Sequence, residues 1–182
     1  MKIDWVEYNI RGKKIQAQVT ILEKQDRALL KNLYSRCKSL NDDLKAISTR
    51  GINLPETISE NAFCLFGKDY VRVVSLKKGK CSYDVLNTKT GSRIQIKATS
   101  IDSDLTSFGP RSEWDELYFL DFSAGDGSFK VYKIEADWIY KYQVNKNQTF
   151  AQQQAEKRRP RFSIIEGIIK PRKLKPIAVC RL

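Results

Sequence analysis

Asp84, Gln95 and Lys97 fall within the segment SYDVLNTKTGSRIQIKATS, an acid followed by an amide and a lysine that one isoleucine separates. Residues of these types, brought together, suit hydrolysis of a phosphodiester. An aspartate carboxylate and a neighbouring amide or backbone oxygen hold a hard divalent ion, which prefers oxygen ligands, while a nearby lysine orients or helps deprotonate the attacking water. The ion offsets the charge that builds in the transition state, an electrostatic contribution larger than the proton transfer. The competing reading is an exposed hairpin whose face is polar by chance. What the sequence lacks narrows the chemistry further. It has no histidine, so Ser-His-Asp and Cys-His mechanisms are excluded and catalysis falls to carboxylates, lysine or a hard metal. Cys37, Cys64, Cys81 and Cys180 are spaced too widely for a zinc pair and read as reduced, mostly buried small hydrophobes.

Strands must position these residues. Alternation with period two marks residues 70–76, 83–86 and 93–98 as adjacent strands bounded by Gly, Asn, Lys or Ser. With Asp84 opposite Gln95, residues 88–91 form the loop, Val85 meets Ile94 and Tyr83 meets Ile96, which keeps one face apolar. A slip by one residue would set Asp84 against Ile94 and mix the faces. In the favoured register Asp84, Gln95 and Lys97 share the polar face, Gln95 and Lys97 lying about 6.6 Å apart along the strand.

Upstream, Leu29, Leu30, Leu33, Leu40, Leu44 and Ile47 recur at spacings of three and four and predict an amphipathic helix over residues 23–47. Gly51 breaks it, and Pro55 opens a second helix that runs to residue 66 and stops at Gly67. Downstream come a polar, partly helical crossover over 100–113, a two-sided apolar central strand over 117–122 and, after a turn at 125–127, a strand over 129–134. Short helices follow over 135–142 and 149–156, and Pro160, Pro171 and Pro176 make the tail from residue 158 extended or loop-like. With no internal repeat, this order predicts a single mixed α/β domain over 1–182, its central mixed sheet flanked by helices.

The net charge of +12 is unevenly placed: residues 141–182 carry 11 Lys/Arg against 2 Asp/Glu, whereas residues 1–140 carry 22 against 19. A basic C-terminal part points to a polyanion partner, because Lys and Arg that neutralise phosphates release counterions and supply non-specific affinity. A solvated basic face is the plainer alternative. No stretch approaches the ~20 apolar residues of a membrane helix, and the start MKIDWVEYNIRGKK has acids and a tryptophan where a signal peptide carries its apolar run. A cytoplasmic protein without a membrane partner is expected.

The order helix, strand, Asp-bearing strand, QIK strand, helix, strand resembles the PD-(D/E)xK nuclease superfamily, Asp84 matching its Asp, and Gln95 with Lys97 its (D/E)xK. More narrowly, the blocks RGINLPETISENAFCLF, SYDVLNTKTGSRIQIKATS, LTSFGPRSEWDELYFLDF and NQTFAQQQAEKRRPRFSI resemble small type II restriction endonucleases that cleave the interrupted palindrome GCNGC. The blocks extend from residue 50 to residue 164. The resemblance implies a magnesium-dependent deoxyribonuclease, with Mn2+ able to substitute. It also implies a homodimer on double-stranded DNA, because a palindrome calls for a two-fold protein, and a DNA methyltransferase that protects the host's sites. Two other functions stand beside it: a non-catalytic DNA-binding protein, and a PD-(D/E)xK nuclease for branched or damaged DNA.

One departure matters. Gln95 stands where the superfamily usually has an acid, which leaves Asp84 short of a carboxylate partner. The superfamily's preceding helix often carries a glutamate, so Glu60, which shares a helical face with Glu56, is the expected third metal ligand beside Asp84 and Gln95, or else an exposed helix acid. DNA reading falls to Arg158, Arg159 and Arg161, which either pair with guanine O6 and N7 or clamp phosphate. Thr106, Ser107, Arg111, Asn147 and Gln148 are further DNA-binding candidates with capping or loop roles as alternatives, and Arg50 either holds a phosphate or closes its loop. Trp114, Tyr118, Phe119 and Trp138 read as core or interface aromatics.

Overall fold

The computed structural model describes residues 1–48, 51–67, 69–101, 104–110 and 112–182. The chain opens on a long antiparallel hairpin that the sequence reading left out, β1 (Lys2–Ile10) and β2 (Lys13–Ile21). Arg11 and Gly12 both have positive φ, 52° and 75°, as a two-residue turn with the strands' own twist requires. Then follow helices α1 (Asp26–Ile47) and α2 (Glu56–Cys64). Strands β3 (Tyr70–Leu76), β4 (Val85–Asn87) and β5 (Arg93–Thr99) come next, at or close to the expected positions.

The expected partial helix over 100–113 is corrected. Among its described residues there is only the short strand β6 (Thr106–Ser107), held by a strand far downstream. Strands β7 (Glu116–Asp121) and β8 (Ser128–Ile134) precede α3 (Ala136–Tyr140), the small pair β9 (Gln143–Asn145) and β10 (Gln148–Thr149), and α4 (Phe150–Ala155). Thr149 caps α4 with a full capping box, its side chain accepting from Gln152 N–H while Gln152 reaches back. The tail is less loop-like than its prolines suggest. It forms β11 (Arg161–Phe162), a π-helical turn (Ile165–Ile169) and β12 (Ala178–Arg181). Among the described residues, no helix is long and apolar enough to cross a membrane.

The main sheet has eight strands in the order β1-β2-β3-β4-β5-β7-β8-β12. Neighbours are antiparallel except β5 and β7, which run parallel, Gln95 beside Leu117 and Lys97 beside Phe119. The two-sided apolar sequence of β7 suits this central place. On one sheet face, Leu30 and Tyr34 of α1 and Ile58, Ala62 and Phe63 of α2 pack on Val85, Ile94, Ile96, Tyr118 and Leu120. On the other, Phe108, Trp114, Phe150, Phe162 and Ile168 pack on Leu86, Leu117, Phe119 and Ile134. A fully buried side chain of this size contributes roughly 1.5–3 kcal/mol, so the sheet around β5 is held from both faces.

The inward face of α1 differs from the expected stripe. Leu30, Tyr34 and Asn41 are buried, whereas Leu29, Leu40 and Ile47 are exposed. Spacings of three and four fit two neighbouring helical faces equally, and specific contacts choose between them. Tyr34 stacks on Phe122 with ring centres 5.7 Å apart, and Asn41 Oδ1 accepts the Ile52 N–H at 2.8 Å. A β-carbon at Gly51 would collide with that same oxygen, so a larger residue there would have to displace the Asn41 side chain.

Candidate active site

Asp84 sits where β4 is about to begin. Its N–H donates to Ile94 O at 2.9 Å and its carbonyl accepts Val73 N–H at 2.8 Å, which fixes its backbone between β3 and β5. The ladder pairs Val85 with Ile94, as the side-chain faces require, and Asp84 lies just before its first pair. Because β4 starts only at Val85, the Ile96 N–H donates to Asp84 Oδ2, at 2.8 Å, and Gln95 Nε2 donates to the same oxygen. Two neighbours on β5 thus hold the carboxylate in one rotamer.

Lys97 extends from the next position on that face. Its Nζ lies 5.5 Å from the centre of the Phe108 ring. Lys97 also lines a cleft of about 190 Å³ whose walls are Asn53, Glu56 and Ser59 on one side and Asp104, Thr106 and Ser107 on the other. Phe108 packs in turn on Phe150 and Phe162, at centroid distances of 5.0 and 5.9 Å. The lysine is therefore seated against the aromatic cluster that carries α4 and β11.

Glu60 comes from α2, most of which is buried, and Glu60 itself is only 6 % exposed. This excludes the exposed-acid reading. Its Oε2 accepts from Arg72 Nε of β3 at 2.5 Å. Burial raises the Glu60 carboxyl above the usual range even against the pull of Arg72, and the negative charge of Glu56 adds to the rise. Burial and then the charge of Glu60 push Asp84 up to about 7, with the Ile96 N–H and Lys97 acting in the opposite sense. Asp84, Glu60, Glu56 and Lys97 are thus one electrostatic group, the pattern that marks functional sites.

Among the described residues no cluster of three or more Asp, Glu, His or Cys is assembled as a metal site. The donor chemistry nevertheless fits a hard divalent cation: Asp84 and Glu60 are oxygen donors held in repulsion, and a cation relieves that repulsion. Burial likewise keeps the Cys64 thiol protonated, and all four cysteines are free.

The proposed DNA-reading residues divide into groups. Arg161 lies across from Ser107, and Phe162 from Thr106, in the β11–β6 pair, so this ladder brings an arginine beside the cleft wall. Thr106 is buried, with its hydroxyl donating to Asp104 at 3.3 Å. Arg158 donates through Nη1 to Gln148 Oε1 at 3.3 Å and pairs with Glu156 at 3.1 Å. Asn147 takes a turn position, its N–H donating to Asn145 Oδ1 at 2.9 Å, while Arg159 is exposed. Arg50 and Arg111 lie outside the described residues. Trp114, Tyr118 and Phe119 are core residues, as expected, and Trp138 carries Arg172 5.0 Å over its ring.

Sequence reasoning passed over Arg72, Asp104 and Phe108. The partners of Arg72 and Phe108 arise from long-range packing, and no local spacing marks them. Asp104 receives the Ile164 N–H at 2.7 Å and ties the cleft wall to the turn that leads into the π-helix.

Comparison with known proteins gives the family. The family model described as the Bsp6I restriction endonuclease matches residues 22–171. The type II restriction enzyme Bsp6I of Bacillus sp. (strain RFL6) is 41% identical over 152 residues, 82% of this chain and 84% of that protein. No solved structure matches. The match covers α1, α2, the Asp84–Lys97 hairpin, the cleft wall and the arginine segment, and on its strength the chain belongs to the Bsp6I restriction endonuclease family and is a nuclease.

Proposed function

We propose that the protein is a type II site-specific deoxyribonuclease of the PD-(D/E)xK superfamily. It hydrolyses double-stranded DNA with Mg2+, or Mn2+ in its place, at the GC-rich interrupted palindrome GCNGC. The observation that carries this reading is the Asp84 carboxylate, held by Ile96 and Gln95 and within electrostatic range of Glu60 and of Lys97, which lines the cleft. Asp84 and Glu60, with the Gln95 side-chain oxygen, would hold the divalent cation. Once bound, the cation supplies charge neutralisation at the reacting phosphate and a lowered pKa for the attacking water.

The chain's own groups do the rest. Lys97 orients the water and takes up the charge of the oxygen that attacks. The wall formed by Ser107 and Thr106, with Arg161 across the ladder, holds the DNA strand against the cleft. Arg158, Arg159 and Arg161 read guanines or clamp phosphates, with Asn147, Gln148, Arg50 and Arg111 as flanking contacts. A homodimer places one site on each strand of the palindrome, in the cytoplasm of a host whose methyltransferase protects the same sequence.

Digestion of plasmid DNA with Mg2+, followed by end sequencing, tests the reading. Discrete fragments ending within GCNGC are expected. Binding without cleavage would assign a purely DNA-binding role, and a preference for branched or damaged duplexes would assign a structure-specific nuclease.

The arginine segment has its own test. Single alanine variants of Arg158, Arg159 and Arg161 are titrated with salt in Ca2+, on a GCNGC duplex and a scrambled one. At least one loses roughly 1–3 kcal/mol on the GCNGC duplex alone, the value of a bidentate guanine contact. A phosphate contact would weaken both duplexes alike and lower the salt slope by about one unit. If all three behave so, guanine reading belongs to residues 106–111 or to Asn147 and Gln148.

A further inference from the structure

Arg72 is not among the catalytic set, yet it is bound to it. It stands on β3 across from Val85, the neighbour of Asp84, and reaches toward α2. Its Nε donates to Glu60 Oε2 at 2.5 Å, and its Nη2 lies 3.5 Å from the hydroxyl of Thr57, on the preceding turn of the same helix. Both partners of the ion pair are mostly out of water, their side chains 18% and 8% exposed.

A guanidinium is planar and directs its donors rigidly. Anchored at Thr57 and engaging one carboxylate oxygen, it fixes the rotation of Glu60 about the bond that carries the carboxylate and leaves Oε1 for another partner. Outer partners of this kind orient a metal-ligating carboxylate, and their loss typically costs 10–100-fold in metal affinity.

We propose that Arg72 is a positioning residue for the cation site, acting only through Glu60: it holds Glu60 with one oxygen turned to the cation shared with Asp84. The proposal rests on Glu60 being a ligand, as read above. Arg72 neither touches the DNA nor participates in the proton transfer. If it served merely as a resident counter-charge, it would compete with the cation, and its removal would tighten cation binding.

The test is Ca2+ binding measured by calorimetry with a GCNGC duplex present, on the wild type, Glu60→Gln, Arg72→Gln, Arg72→Lys and the double variant Glu60→Gln/Arg72→Gln. Thermal unfolding in EDTA checks that each is folded. Arg72→Gln is expected to weaken Ca2+ binding by about 10–100-fold, and Arg72→Lys, which keeps the charge but loses the fork, by less. The double variant is expected to bind Ca2+ as Glu60→Gln does, because an effect that passes through Glu60 vanishes with it.

Wild-type or tighter affinity in Arg72→Gln would overturn the proposal, as would a double variant weaker than Glu60→Gln. The second comparison holds even if Arg72→Gln alone does not fold, since the double variant leaves neither charge of the Arg72–Glu60 pair without its partner. Unchanged affinity in Glu60→Gln would instead remove Glu60 from the cation site, and the proposal with it.

Discussion

Alanine in place of Lys97 or Asp84 lowers single-turnover cleavage of a GCNGC duplex by roughly 10²–10⁴-fold or more, the range of a lost acid–base or charge-stabilising group. The same variants fold and bind that duplex in Ca2+ with affinities near the wild type. For Lys97 the argument is geometric. The ammonium borders the cleft, and its contact with the Phe108 ring, 5.5 Å from the ring centre, is worth only about 0.5–1 kcal/mol. For Asp84 it is electrostatic: the carboxylate is buried against the charge of Glu60, so its removal takes away a repulsion along with the bonds from Ile96 and Gln95. Thermal unfolding and fluorescence anisotropy check folding and binding, and quenched cleavage assays give the rate. Near-normal turnover in either purified variant would place the chemistry elsewhere.

The hairpin that carries Asp84 was legible because two requirements met in a few residues. Val85 and Ile94 had to share a buried face, and a turn of four polar residues had to close the loop, so only one register satisfied both. The N-terminal hairpin was less legible although Val6, Tyr8, Ile10, Ile15, Ala17 and Val19 alternate around Arg11-Gly12. Its outer strand β1 is a sheet edge that exposes Ile3 and Trp5 while half-burying Asp4, which blurs the apolar and polar faces. The tail was obscured by its prolines, since β12 gains its place only by adding to β8, far back in the chain. Glu60 and Glu56 illustrate the limit within the site. They share one helical face by spacing, and only the packing of α2 on β3 and β5 buries Glu60 and leaves Glu56 exposed. Arg72 is fixed by the same packing, so its place in the site could be read only after the helix was docked.

In EDTA, the protein loses stability as pH rises from about 4 to about 7, and Asp84→Asn removes much of that loss. Asp84 is pushed up to about 7 from an ordinary value of 3.8, so across this window the unfolded chain has released the proton that the folded chain still holds. Stability is full below the unfolded value and declines as pH climbs toward the folded one. At about 1.4 kcal/mol per unit of difference, the decline is on the order of 2–4 kcal/mol. The asparagine keeps an acceptor for the Ile96 N–H but cannot ionise, so it matches or slightly trails the wild type near pH 4 and exceeds it near pH 8. Divalent cation reverses the order. It binds the ionised carboxylate and releases the proton, so wild-type Ca2+ affinity climbs by up to about tenfold per pH unit below about 7 and levels off above, while Asp84→Asn binds weakly throughout. Thermal unfolding of both proteins across this range, with EDTA and then with Ca2+, measures the two effects together. Parallel curves in EDTA would show that Asp84 is ionised throughout, and the buried repulsion that draws a cation to the site would be absent.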